Sequence, residues 1–120
     1  MSAKLVALIL LFLTSAAVAR DDASCEQLSE RGHQSGIRVP GYLATYEVVG
    51  DGRLQFYSAP DRGCKITGVF VVPRDRLTAY VEYKGYTAVL YIGGKNGEEP
   101  MGWVLSSRLR ATGTGISPKQ

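Results

Sequence analysis

Between Gly41 and Leu109 the chain is cut into short apolar stretches of no more than about eight residues, each ended by Gly, Pro or Asp. No long amphipathic helix survives that punctuation, whereas short strands joined by tight turns do. Tyr42–Val49 is rich in aromatic and β-branched residues, which suit a pleated, half-buried surface. Gly50-Asp51-Gly52 follows as a hairpin signal, because glycine supplies the positive φ that tight turns need. Leu54–Ser58 reads as the next strand, with Leu54 and Phe56 on one face. Ala59–Gly63 breaks it, Lys65–Val72 resumes, and Pro73–Arg76 turns again. Leu77, Ala79, Val81 and Tyr83 alternate with Thr78, Tyr80 and Glu82, so the first set is expected on one buried face and Tyr80 on the opposite, exposed one. Lys84-Gly85 turns into Tyr86–Ile92, a polar loop spans Gly93–Glu99, Gly102–Leu105 is the last strand, and Ser106–Leu109 forms a helical turn. Short strands at this spacing predict a mainly β fold, a sandwich or a small barrel.

Ahead of the strands lie two different segments. Lys4, the apolar run Leu5–Leu13 and the small residues Ala17-Val18-Ala19 make a charged, then apolar, then A-x-A pattern, the form of a cleavable export signal over residues 1–19. The run is about half the ~20 apolar residues a spanning helix needs, and Arg20, Asp21 and Asp22 close it, so no stable membrane insertion is expected after cleavage. Cys25 does not fit a lipoprotein site, since Asp22 stands where a large aliphatic residue is wanted. Residues 20–40 are polar, with a short helix expected over Cys25–Arg31 and ended by Gly32, and residues 111–120 read as a flexible tail. The barrel itself is assigned to residues 41–110.

Export gives the cysteines a meaning. The chain has two, Cys25 and Cys64, and an even count in a small exported domain reads as a disulfide. It ties the N-terminal segment to the strands, and closing a loop of about 40 residues adds roughly 4 kcal/mol on the chain-entropy account. Cleavage at Ala19 leaves 101 residues, enough for one modest core, placed in the periplasm or outside the cell. Lys4 leaves with the signal, so thirteen basic and eleven acidic residues remain, mixed along the chain. That distribution lacks the basic stripe of a nucleic-acid or membrane-surface binder.

Chemistry is poorly provided for. His33 is the only histidine and reads as a solvated loop residue; with two cysteines it matches no usual zinc spacing, and no cofactor motif is present. Ser106 and Ser107 lack a G-x-S-x-G setting, and adjacent Glu98 and Glu99 make a poor acid–base pair. No enzymatic activity is expected. Seven tyrosines and one tryptophan instead supply flat amphipathic contact area. The candidate binding surface is Tyr57, Tyr80, Tyr86 and Trp103, with Arg108 as a polar contact.

Four segments, taken in order, carry a family likeness: Leu54-Gln55-Phe56-Tyr57-Ser58-Ala59-Pro60, Ile66-Thr67-Gly68-Val69-Phe70, Gly85-Tyr86-Thr87-Ala88-Val89 and Gly102-Trp103-Val104-Leu105-Ser106-Ser107-Arg108-Leu109. Over roughly Val48 to Leu109 the chain resembles the bacterial SH3-like (SH3b) domain. It departs from that pattern at Tyr57, where the family often has Arg, and at Tyr86, where it has Trp. The resemblance implies a small barrel of five to six antiparallel strands, preceded here by the short helical segment. It also implies a non-catalytic module that recognises a cell-wall peptide or an envelope protein. A small exported domain without an attached enzyme equally suits an inhibitor or immunity-type protein that blocks a secreted toxin or hydrolase.

Overall fold

The structure, a computed structural model, describes residues 19–94 and 97–119. The export signal expected over 1–19 lies outside the described residues apart from Ala19. Among the described residues the fold is mainly β: helix α1 (Asp22–Ser35) is followed by eight strands, β1 (Ile37–Arg38), β2 (Thr45–Val48), β3 (Leu54–Tyr57), β4 (Lys65–Val71), β5 (Arg76–Tyr83), β6 (Tyr86–Leu90), β7 (Met101–Leu105) and β8 (Leu109–Ala111). All pair antiparallel in one open sheet of order β4-β3-β7-β6-β5-β2-β8, with β1 also on β5. The strand count exceeds the expected five to six because β1 and β8 are two or three residues long and carry no alternating pattern of their own.

The sheet has two apolar faces. On one, Val48, Leu54, Phe56, Val71, Leu77, Ala79, Val89 and Val104 form the main core. Leu109 of β8 packs against this cluster although β8 and β4 are the two ends of the sheet, so the sheet curls around it. On the other face Val81, Tyr86, Ala88 and Trp103 make a second cluster, flanked by Tyr57 and Tyr83. β6 is therefore buried on both sides along Tyr86–Val89. Its one buried polar side chain, Thr87, is matched by Ser106, Oγ1 to Oγ 2.7 Å.

Helix α1 covers the second face, and its sequence shows how. The helix is polar, and only Cys25 and Gly32 are buried. Asp21 caps it by accepting from the Ser24 N–H at 2.8 Å, which holds the Asp21 carboxyl below its ordinary pKa. Gly32 does not end the helix as expected but lies inside it. A Cβ there would sit 2.7 Å from Trp103 Cη2, so glycine is what lets the helix lie on the indole. Trp103 Nε1 donates to Ser29 Oγ at 3.0 Å.

Cys25 and Cys64 form the disulfide, with Cα atoms 5.8 Å apart, buried with Ala59 and flanked by the partly buried Leu28. Around it Arg20 pairs with Asp61 at 3.0 Å and its N–H donates to the Gly63 carbonyl. The Gly63 N–H donates to Asp61 Oδ1 at 2.8 Å, and that bond, aided by Arg20, keeps the Asp61 carboxyl below its ordinary pKa.

The C-terminal segment, expected to be a flexible tail from residue 111, is instead tied down. Thr112 donates to the Thr45 carbonyl, Thr45 to Thr114 and Ile116 to Gly41. Gly115 lies so close to the backbone of Gly41 and Tyr42 that no side chain fits there.

Because α1 contributes so few apolar atoms, its attachment depends on the covalent tie. Replacing Cys25 and Cys64 together by Ala is expected to remove about 2–4 kcal/mol of unfolding free energy, read in urea titrations of the oxidised parent and the variant. Equal stabilities would mean that the helix docks without the bridge.

Candidate binding groove

The five candidate surface residues do not form one surface. Trp103 is 1% exposed beneath α1, and Tyr86 is 8% exposed in the same apolar cluster. Burial pushes the Tyr86 phenol above its ordinary pKa, with Tyr57 the next contributor. Tyr57 is half-buried and meets Tyr86 edge-on, ring centres 5.4 Å apart. Arg108 has a bracing position: Nε donates to the Val49 carbonyl at 2.6 Å and Nη2 to the Gly52 carbonyl at 2.7 Å, locking the Gly50–Gly52 turn. Only Tyr80, 40% exposed, faces solvent as expected.

Tyr80 owes that position to a bulge. Ala79 pairs with Val89, but Val81 pairs with Ala88, so Tyr80 is an extra residue in β5 without a partner on β6. The bulge also switches faces. Leu77 and Ala79 enter the main core, while Val81 and Tyr83 turn to the helix side. The strict alternation expected over Leu77–Tyr83 fails at this point.

A second irregularity lies in β4. Gln55 pairs with Phe70 and Tyr57 with Lys65, so the residues between Lys65 and Phe70 bow out of register. Gly68 takes φ +78° within that excursion. The Gln55 amide fills it, with Nε2 within 2.8, 2.6 and 3.1 Å of the carbonyl oxygens of Phe56, Ile66 and Val69.

Between the two bulges runs a groove centred on Met101, which is 68% exposed at the start of β7. One lobe, of about 450 Å³, is lined by His33, Arg38, Val39, Tyr80, Val81 and Met101. A middle lobe of about 230 Å³ reaches Ile66 and the edge of Trp103. The third, of about 520 Å³, lies among Ile66, Val69, Phe70, Glu98, Glu99 and Met101. The walls are chiefly aliphatic, aromatic and thioether groups, with a few polar atoms at the ends. This composition suits recognition of apolar side chains. His33, expected in a loop, stands on the last turn of α1 with its ring 5.0 Å from that of Trp103.

Sequence reasoning missed Met101, Ile66 and His33 as site residues. A usable signal was present for the first: Met101 shares a strand face with Trp103, and a helix short of apolar residues covers only part of that face. Among the described residues no group of three or more His, Cys, Asp and Glu side chains is placed to hold a metal ion. Comparison with protein-family models, with curated proteins and with solved structures finds no match to this chain.

The β4 excursion forms one wall of the groove, so its shape depends on Gln55. Gln55→Ala strips the amide donor from three carbonyls and is expected to cost about 1–3 kcal/mol in denaturant unfolding. An unchanged midpoint would mean that the excursion holds itself.

Proposed function

We propose that this chain is an exported, non-catalytic binding protein with an SH3-like barrel that recognises a protein of the cell envelope through the Met101 groove. The observation that carries this reading is the exposed apolar groove between Tyr80 and Phe70, on a domain stapled by Cys25–Cys64. Apolar walls reward the burial of side chains at roughly 25 cal/mol per Å², and Tyr and Met are residue types that dominate protein contacts. A glycan-linked wall peptide offers mostly polar groups, which such walls would leave without hydrogen-bond partners. The disulfide accords with an oxidising compartment, and with the A-x-A pattern it supports placement in the periplasm or outside the cell.

The same contact serves an inhibitor or immunity-type role if the partner is a secreted hydrolase or toxin. The observation favouring that version is the reach of the groove, whose three lobes share Met101 and run from α1 to the loop at Glu98. An occupied groove of that length brings a partner's loop against the whole face.

Two assays on the oxidised protein test the proposal: capture of partners from envelope extract, and sedimentation with purified peptidoglycan. Capture of a stoichiometric protein partner is expected, weakened roughly tenfold or more by Met101→Lys or Tyr80→Ala. Both side chains are exposed, so both variants should keep the parent's melting temperature. Capture insensitive to both substitutions, or sedimentation with peptidoglycan alone, would overturn it.

A further inference from the structure

The groove is not symmetric in charge. At the α1 end its lining includes Arg38 and His33. At the other end it includes the acidic residues Glu98 and Glu99. Among the described residues the stretch between them contains no Asp, Glu, Lys or Arg and includes Tyr80, Ile66 and Met101. Arg53, whose guanidinium lies 4.1 Å from the Phe70 ring centre, is not part of the lining.

Each pole is set by the fold. Arg38 pairs with Val81 next to the β5 bulge, so the two-residue strand β1 fixes its place beside Tyr80. The Glu98–Glu99 pair precedes Pro100 and Met101, and the carbonyl of Pro100 accepts from the Tyr91 N–H at 2.9 Å. Arg38 thus lines the first lobe and the Glu98–Glu99 pair the third, and the smaller middle lobe shares residues with both.

We propose that the groove takes an extended protein segment whose apolar centre is flanked by a carboxylate at one end and a cation at the other. This rests on the reading that the groove binds a protein partner, and it adds that partner's chemistry. Apolar side chains fill the lobes on either side of Met101. An Asp or Glu of the segment meets Arg38, and a Lys or Arg meets Glu98 and Glu99. The two ends together fix the direction in which the segment lies and reject segments whose flanks share one sign. Both poles face water, so each contributes selectivity of a few-fold rather than the bulk of the affinity.

The experiment uses the oxidised protein and four synthetic peptides with one common apolar centre, measured by fluorescence anisotropy. Their flanks are Asp and Lys, Asp and Asp, Lys and Lys, or Ser and Ser. The parent is expected to bind the mixed peptide about three- to tenfold more tightly than either same-sign peptide at low ionic strength, and the gap should narrow as salt is raised. Arg38→Glu should move the preference to the Lys-flanked peptide. Glu98→Lys combined with Glu99→Lys should move it to the Asp-flanked one. Equal binding of all four peptides, or preferences that do not follow these reversals, would overturn the charge assignment while leaving an apolar groove in place. Binding by none of the four would overturn the extended segment. The response of partner capture to Met101→Lys separately decides whether the groove is a binding surface.

Discussion

The seating of Trp103 beneath α1 is the contact on which the arrangement depends. The indole points away from the main core, on the outer face of β7, where it would otherwise meet water. A polar helix covers it, and three features make that possible: the missing side chain at Gly32, the hydroxyl of Ser29 for the indole N–H, and the bond from Cys25 to Cys64. The covalent tie offsets the scarcity of apolar residues on the helix. With the helix in place the sheet buries residues on both sides, which explains why β6 reads as an unbroken buried strand.

Covering only part of that outer face creates the groove. Under the helix and its C-terminal Gly36, Trp103 and Val81 are sealed and Tyr86 is buried beside them, while Met101 and Tyr80 are exposed. The bulge at Tyr80 adds to the division by moving Val81 and Tyr83 to the helix side while leaving Tyr80 in solvent. The second bulge, filled by Gln55, extends the concavity toward Glu98 and Glu99. Sheet irregularities and helix placement thus produce adjoining apolar pockets that share Met101, with Arg38 lining the first and Glu98 and Glu99 the third.

Much of the strand content was legible from residue pattern. Gly50, Gly52 and Gly85 take the positive φ that glycine accommodates in turns, and the strands begin and end near them. The pairing of Cys25 with Cys64 followed from there being only two cysteines. The face assignment of the aromatics was harder to read. A tryptophan on a strand is buried either in the core or under another element, and local sequence does not distinguish the two. Tyr86 and Trp103 are expected at a binding surface because Tyr and Trp supply amphipathic contact area, and a helix with almost no apolar stripe gives no sign that it covers Trp103. Gly32 read as a helix stop, since the indole that requires it lies 71 residues further on in the chain. A bulge leaves no period-2 signature, so Val81 was assigned to the wrong side. The tail was misjudged because Thr112, Thr114 and Ile116, which look solvated, bond to the backbone of Gly41 and Thr45.

Trp103 is the only tryptophan in the chain, so its fluorescence reports directly on the helix cover. The most direct test is collisional quenching of that fluorescence by iodide in the oxidised, folded protein. A buried indole beneath α1 predicts blue-shifted emission and a quenching constant several-fold below that of the denatured chain. Red-shifted emission quenched as readily as in the denatured chain would contradict the account, because the helix would then not lie on the sheet.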